Sequence, residues 1–174
     1  MDAGPLLGEI LKAMHKHRLE AILIGNAGAA LHGAPVTTLD FDFMFRETPA
    51  NLRKLKAVSR DLGAVILRPY YPVSKLYRMV NDDRGLQVDF MPVIHGVRSF
   101  NSLRSRALRT NIAGQPLLLA ALSDIIASKR SAGRARDRAV LEVLEHTLHE
   151  KQIASEIPPT KTPGSSARRT RRRE

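Results

Sequence analysis

Residues 38–45 read Thr-Leu-Asp-Phe-Asp-Phe-Met-Phe, and this stretch decides the fold more than any other in the chain. Apolar residues alternate here with Asp40 and Asp42, and a period of two is typical of a β-strand with one buried face. The apolar side chains therefore take one face of the predicted strand, and both carboxylates take the other. Residues two apart on a strand are roughly 7 Å apart at Cα, so both carboxylates can bind one cation.

Asp89 lies in a similar pattern, between Val88 and Phe90. Its apolar neighbours indicate a largely buried strand from which only the aspartate points to the opposite face. If this strand pairs beside the first, three carboxylates cluster, and such a cluster is costly without a divalent cation. Carboxylate oxygens select Mg²⁺ or Mn²⁺ over zinc, and two such cations give the arrangement used for in-line attack on a phosphoryl group.

A simpler alternative is that Asp40 and Asp42 line the solvated face of an amphipathic strand. The preceding segment favours the cation site instead. Residues 20–24 predict a short buried strand, Gly25-Asn26-Ala27-Gly28 a tight turn, and Ala27 to about His32 a helix of small residues. A strand-to-helix turn of this kind offers backbone N–H groups to phosphates.

Together these motifs resemble the nucleotidyltransferase superfamily, which has the polymerase-β-like fold. Its pattern is a strand ending in Gly-Gly or Gly-Ser, a short helix, Asp-h-Asp or Asp-h-Glu on the next strand, and a later third carboxylate. The matching segments are Leu23-Ile24-Gly25-Asn26, Leu39-Asp40-Phe41-Asp42-Phe43 and Val88-Asp89-Phe90. Residues 24–33 are similar to minimal bacterial nucleotidyltransferases, including toxins of abortive-infection toxin–antitoxin pairs. Residues 124–137 are similar to the family's Lys-x4-Arg-x2-Asp helical pair, so the resemblance covers about residues 20–145.

The resemblance implies transfer of a nucleotidyl group from an NTP, with Mg²⁺ or Mn²⁺ as the cofactor. It makes Asp40, Asp42 and Asp89 both the catalytic residues and the metal ligands. Asp40 and Asp42 would hold the metals that bind the phosphates, and Asp89 would complete the site beside the acceptor hydroxyl and act as general base.

The same resemblance assigns nucleotide contacts to Gly25, Asn26 and Lys129, although without it Lys129 is most simply part of a solvated helix face. Two positions depart from the family pattern. Asn26 replaces the small Gly or Ser that contacts the phosphates, and Val36 stands where many relatives have Arg. These departures leave open a non-catalytic RNA- or protein-binding module that keeps the fold.

The rest of the sequence predicts an α/β or α+β fold, with a small mixed β-sheet, flanking helices and two C-terminal helices. Residues 1–157 are predicted to form this domain and residues 158–174 a disordered basic tail. The predicted helices are residues 5–17, 49–62, 117–131 and 134–150, the further strands are 64–67, 76–80 and 86–91, and residues 96–109 are expected to be irregular.

The net charge of the chain indicates which classes of partner it binds. The 174 residues carry a net charge of +11, of which the tail, with six basic residues and one acidic residue, supplies less than half. A basic domain favours polyanionic partners, so an RNA acceptor, such as tRNA, is expected, with a protein hydroxyl as the second choice. The resemblance to toxins of toxin–antitoxin pairs implies a cognate antitoxin as a further partner. The tail itself is a further candidate for the RNA-binding element.

The chain contains no cysteine, which excludes disulfides, thiolate nucleophiles and Cys-ligated zinc. No apolar run approaches the roughly 20 residues that a membrane span needs. We therefore expect no membrane association and a cytoplasmic protein.

Overall fold

The computed structural model describes residues 4–38, 40–67 and 75–156. The predictions for Leu39 and for the tail, residues 158–174, lie outside these ranges. The elements are α1 (Gly4–Lys16), β1 (Ala21–Ile24), α2 (Gly25–Leu31), β2 (Phe41–Phe45), α3 (Pro49–Asp61), β3 (Val65–Leu67), β4 (Tyr77–Asn81), β5 (Leu86–Met91), α4 (Phe100–Arg106), β6 (Leu108–Ile112), β7 (Gln115–Leu119), α5 (Leu122–Ala132) and α6 (Ala135–Glu156). A 3₁₀ turn, Asp82–Arg84, joins β4 to β5.

The strands form one seven-stranded sheet in the order β3-β4-β5-β2-β1-β7-β6. The pairs β1–β7 and β2–β5 are parallel, and the other neighbouring pairs are antiparallel. The predicted mixed sheet with flanking helices is therefore confirmed, and the parallel pairing of β2 with β5 places the two aspartate-bearing strands side by side.

One core lies between the sheet and helices α1 and α3. It contains Leu23, Phe43 and Phe90, all fully buried, and the rings of Phe43 and Phe90 stack with centroids 5.5 Å apart. Burying each such side chain contributes about 1.5–3 kcal/mol. Phe41, Phe43 and Phe45 thus anchor β2 on this side, which turns Asp42 to the other.

A second core lies on the opposite side of the sheet, beneath α2, α5 and α6. Met44 and Ile22 pack here with Ile125 and Leu144. Because Asp42 and Met44 are two residues apart on β2, they share this face, so Asp42 lies at the margin of the second core.

The N-terminus of α3 shows how local chemistry fixes an element. Thr48 is its N-cap, and its Oγ1 accepts a hydrogen bond from the Asn51 N–H at 3.1 Å. Pro49 follows at the first helical position, where its missing N–H costs nothing. The helix predicted for residues 49–62 is confirmed within a residue.

The C-terminal third departs from the sequence prediction. Residues 117–131 were expected to form one helix, but residues 117–119 belong to strand β7 and α5 begins at Leu122. A continuous apolar run is compatible with a buried strand or a buried helix. Here Leu117 and Leu119 enter the first core and Leu118 packs against the second, which is strand alternation.

Three other boundaries also differ. The residues 25–28 predicted as a tight turn are the first turn of α2, which follows β1 directly. Strand β2 begins at Phe41, so Asp40 precedes it. Helix α4 and strand β6 occupy most of the stretch predicted to be irregular. No helix in the described parts of the chain has the length and apolar character needed to span a membrane.

Candidate active site

Strand pairing brings the three predicted carboxylates together. Asp42 of β2 lies directly opposite Asp89 of β5 in the parallel register. Asp40 lies two residues before Asp42, and one carboxylate oxygen from each of the three residues lies within 4.8 Å of the other two. The predicted cluster is therefore present, with Asp89 buried and the other two half-buried.

Two side chains orient Asp40. Thr38 Oγ1 donates to Asp40 Oδ1 at 2.6 Å, and Gln87 Nε2 donates to Asp40 Oδ2 at 3.3 Å. The Thr38 hydroxyl competes with strand pairing, which explains why β2 begins only after Asp40. Together with Thr37 these residues line an open cleft of about 590 Å³ beside the carboxylates.

Asp42 is the least compensated of the three. Within the described residues, no side chain donates a hydrogen bond to it. Burial, followed by the negative charges of Asp40 and Asp89, raises its pKa to about 7, although Lys129 and Arg136 act in the opposite direction. A half-buried carboxylate without donors, beside two others, has the chemistry of a ligand for a hard divalent cation such as Mg²⁺, so the residues present fit that ion.

Asp89 has a partner that the sequence did not reveal. Arg78 of β4 lies opposite Asp89, and its Nε and Nη2 donate to Oδ1 at 2.9 Å and Oδ2 at 2.6 Å. The hairpin of β4 and β5 was predicted, but not its register. Counting back from the turn, with Asn81 opposite Leu86, would have paired Arg78 with Asp89.

Gly25 approaches the cluster from the end of β1. Its φ is +66°, and a Cβ built on it would collide with the Asp42 carboxylate, 2.9 Å from Cγ. Asn26 follows in the first turn of α2. Its Nδ2 donates to the Thr37 carbonyl at 3.4 Å, and its Oδ1 is buried without a partner among the described residues. Gly25 thus contacts Asp42, and Asn26 contacts a residue of the cleft.

Lys129 and Arg136 supply positive charge close to Asp42. Lys129 is largely buried, and its Nζ lies 3.5 Å from Asp137 Oδ1. Arg134 lies 3.9 Å from the other Asp137 oxygen, so Asp137 joins α5 to the start of α6. Arg136 is exposed, and sequence reasoning did not single it out.

Comparison with solved structures identifies the fold. The antibiotic-resistance factor ANT(2")-Ia, solved in complex with adenylyl-2"-tobramycin, matches with a TM-score of 0.61 and 15% identity, over 89% of this chain and 94% of that chain. The lincosamide antibiotic adenylyltransferase LnuA, bound to lincomycin, matches with a TM-score of 0.59 and 13% identity, over 84% of this chain and 98% of that chain. A protein of Thermotoga maritima, provisionally named a nucleotidyltransferase, matches with a TM-score of 0.58 and 16% identity, over 84% of this chain and 92% of that chain.

The chain has the nucleotidyltransferase fold. No protein-family profile matches the sequence, and no curated protein matches it. The resemblance seen in the short motifs is thus confirmed at the level of the fold, over most of the chain.

Val36, where the sequence resemblance leads one to expect arginine, is half-buried and packs against the second core of this nucleotidyltransferase fold. The positive charge near Asp42 comes from Lys129 and Arg136 of the C-terminal helices.

Proposed function

We propose that the chain is a Mg²⁺-dependent nucleotidyltransferase that moves a nucleotidyl group from an NTP to a hydroxyl acceptor. The observation that carries this proposal is the position of Asp40, Asp42 and Asp89, whose oxygens lie within 4.8 Å of one another beside an open cleft. The fold of the structural neighbours supports the same activity.

A divalent cation held by the three carboxylates would neutralise the phosphate oxygens and polarise the reacting phosphorus. The chain's own residues do the positioning. Gly25 lets the backbone at the start of α2 lie against Asp42, where a side chain would block the phosphates. Lys129 adds a largely buried positive charge, which attracts a triphosphate more strongly than an exposed one.

The reaction is a substitution at the α-phosphorus. The acceptor oxygen forms a bond to that phosphorus, the bond to the bridging oxygen breaks, and pyrophosphate leaves. We assign to Asp89, as the sequence resemblance implies, the task of orienting the acceptor hydroxyl and taking its proton. Because the residues mainly hold reactants and offset charge, catalysis here rests on proximity and electrostatic preorganisation.

The proposed acceptor is an RNA, with tRNA as the specific candidate and a protein hydroxyl as the second choice. The chain has a net charge of +11, and most of this excess remains when the Arg-rich tail is left out. Such a surface attracts a polyanion and repels a polycationic aminoglycoside, although the neighbour ANT(2")-Ia was solved with an adenylylated one. A toxin role with a cognate antitoxin stays a prediction that follows from the sequence resemblance.

A labelling assay tests this function. The protein is incubated with each α-labelled NTP and Mg²⁺, together with total RNA, total protein, tobramycin or lincomycin in separate reactions. We expect label in the RNA fraction, release of pyrophosphate, and loss of both in the Asp42→Asn variant. Label in tobramycin or lincomycin would show that the acceptor is a small molecule rather than an RNA. RNA binding without label in any reaction would favour the non-catalytic module.

A further inference from the structure

Arg78 belongs to a row of side chains that crosses the sheet. Strand pairing places Arg78 opposite Asp89, and Asp89 opposite Asp42. Both donors that Arg78 directs at Asp89 are in hydrogen-bond range, which is the bidentate geometry of a strong ion pair. The Arg78 side chain is about one third exposed and the Asp89 side chain only 6%, so the guanidinium lies between the Asp89 carboxylate and solvent.

The charge of Arg78 acts on the whole cluster. The hydrogen bonds to Asp89, followed by the charges of Asp89, Asp40 and Asp42, raise the pKa of Arg78 above its ordinary value despite its partial burial. Asp40 is held instead by two neutral groups, and Asp42 by none. Only one of the three carboxylates is therefore paired with a cation among the described residues.

We propose that Arg78 is a charge-compensating residue of the metal site, which pairs with the Asp89 carboxylate and offsets its charge, so that Asp40 and Asp42 supply most of the attraction for the cation. This inference rests on the proposed function, because it assumes that the cluster binds a divalent cation. It assigns a task to a residue of β4, a strand that carries none of the predicted site residues.

A testable consequence is competition between Arg78 and the cation. Both compensate the same negative charges, so removing Arg78 should tighten cation binding while it destabilises the metal-free protein. An ordinary structural ion pair would behave differently, because its loss would lower stability and leave the affinity for a cation unchanged. The sign of the change in affinity therefore separates the two roles.

The first experiment compares Arg78→Gln with Arg84→Gln. Arg84 lies in the turn of the same hairpin and pairs with Glu9 on α1, so its loss removes an equal charge from an exposed pair outside the cluster. Mn²⁺ binding is measured by calorimetry and the melting temperature without metal by calorimetric scanning. We expect Arg78→Gln to lower the melting temperature and to tighten Mn²⁺ binding by about fivefold or more. Arg84→Gln should change Mn²⁺ affinity less than twofold.

A second pair of variants avoids leaving Asp89 buried without a partner. Asp89→Asn keeps Arg78 and is expected to weaken Mn²⁺ binding, because an uncompensated guanidinium then faces the remaining carboxylates. The double variant Asp89→Asn with Arg78→Gln removes both charges, and Mn²⁺ affinity should recover to within about fivefold of the original protein. Double-mutant comparison isolates the coupling between the two residues.

The outcomes distinguish failure of the role assigned to Arg78 from failure of the proposed metal-dependent function. Unchanged or weaker Mn²⁺ binding in Arg78→Gln, or a double variant no tighter than Asp89→Asn alone, overturns the role of Arg78 and leaves the metal site standing. Absence of Mn²⁺ binding in the unaltered protein contradicts the proposed function, and the inference with it. Tighter binding in Arg78→Gln together with recovery in the double variant supports the assignment.

Discussion

Gly25 and Asp42 lie in such close contact that no side chain fits at position 25. The glycine has a φ of +66°, and a Cβ built there would collide with the Asp42 carboxylate. The contact arises because Ile24, at the end of β1, pairs directly with Asp42. The requirement for glycine therefore has two physical components, backbone conformation and space at the carboxylate cluster.

Replacing Gly25 with Ala should affect both components. We expect a loss of about 1–3 kcal/mol from the left-handed backbone and a similar loss from overpacking against Asp42, together with weaker Mn²⁺ binding. Gly114 is a matched control, because its φ is +77° and nothing lies within 4 Å of its built Cβ. Denaturant unfolding should show that Gly114→Ala loses only the backbone component. Equal losses in both variants would contradict the close contact with Asp42.

The raised pKa of Asp42 predicts how stability depends on pH without metal. Its pKa is about 7 in the folded protein and 3.8 for an ordinary aspartate carboxyl, so the folded state binds more protons between these values. The stability that Asp42 contributes is fully present below pH 3.8 and is lost as the pH rises through about 7, with a slope of at most about 1.4 kcal/mol per pH unit.

The measurement is the free energy of unfolding from pH 4 to 8 for the original protein and Asp42→Asn. His32 contributes with the opposite sign, because burial lowers its pKa, but this contribution is the same in both proteins and cancels in the difference. We expect Asp42→Asn to become the more stable of the two above pH 7. Parallel pH profiles would refute the strained carboxylate cluster.

Lys129 is predicted to bind the triphosphate. Lys129→Gln should weaken binding of an NTP with Mg²⁺ by roughly tenfold, because it removes a buried charge next to Asp42. Arg130→Gln is the neighbouring control, since Arg130 is exposed and pairs with Glu145 at the surface. Titration calorimetry should detect less than a twofold change for the control. Similar losses in both variants would indicate a general charge effect rather than a contact.

The basic tail is predicted to add RNA affinity without stabilising the domain. A chain that ends at residue 157 loses six basic residues and one acidic residue. Its melting temperature should stay unchanged, while its RNA affinity falls and depends less steeply on salt concentration, because fewer counterions are released. A large drop in the melting temperature would show that the tail packs against the domain. Unchanged RNA affinity would place the RNA-binding surface elsewhere.

The sequence predicted the carboxylate cluster better than it predicted the elements around it. Alternation over residues 41–45 and 88–90 fixes which face Asp42 and Asp89 occupy, since a shift by one residue would turn these carboxylates into the phenylalanine-rich first core. The register between strands that are distant in sequence is set by tertiary packing, and so the parallel pairing of β2 with β5 was only an assumption. The pairing of Arg78 with Asp89 was missed for the same reason, because the hairpin was predicted without its register.

The hairpin of β6 and β7 was missed for a different reason. Leu117, Leu118 and Leu119 are consecutive and all apolar, because β7 is covered by helices on both faces. A strand of this kind loses the alternating pattern that identified β2. Gly114 was the available signal in the sequence. In the structure Ala113 and Gly114 both have positive φ, as a type I′ two-residue hairpin requires.

A calorimetric titration of the metal-free protein with Mn²⁺ at pH 8, repeated with Asp42→Asn, tests whether the three carboxylates form a metal site. We expect saturable binding by the original protein and a roughly tenfold or greater loss of affinity in Asp42→Asn, because the variant lacks the one carboxylate to which no described side chain donates a hydrogen bond. Equal Mn²⁺ affinity in the two proteins, or no binding by either, would contradict a catalytic metal site at Asp40, Asp42 and Asp89.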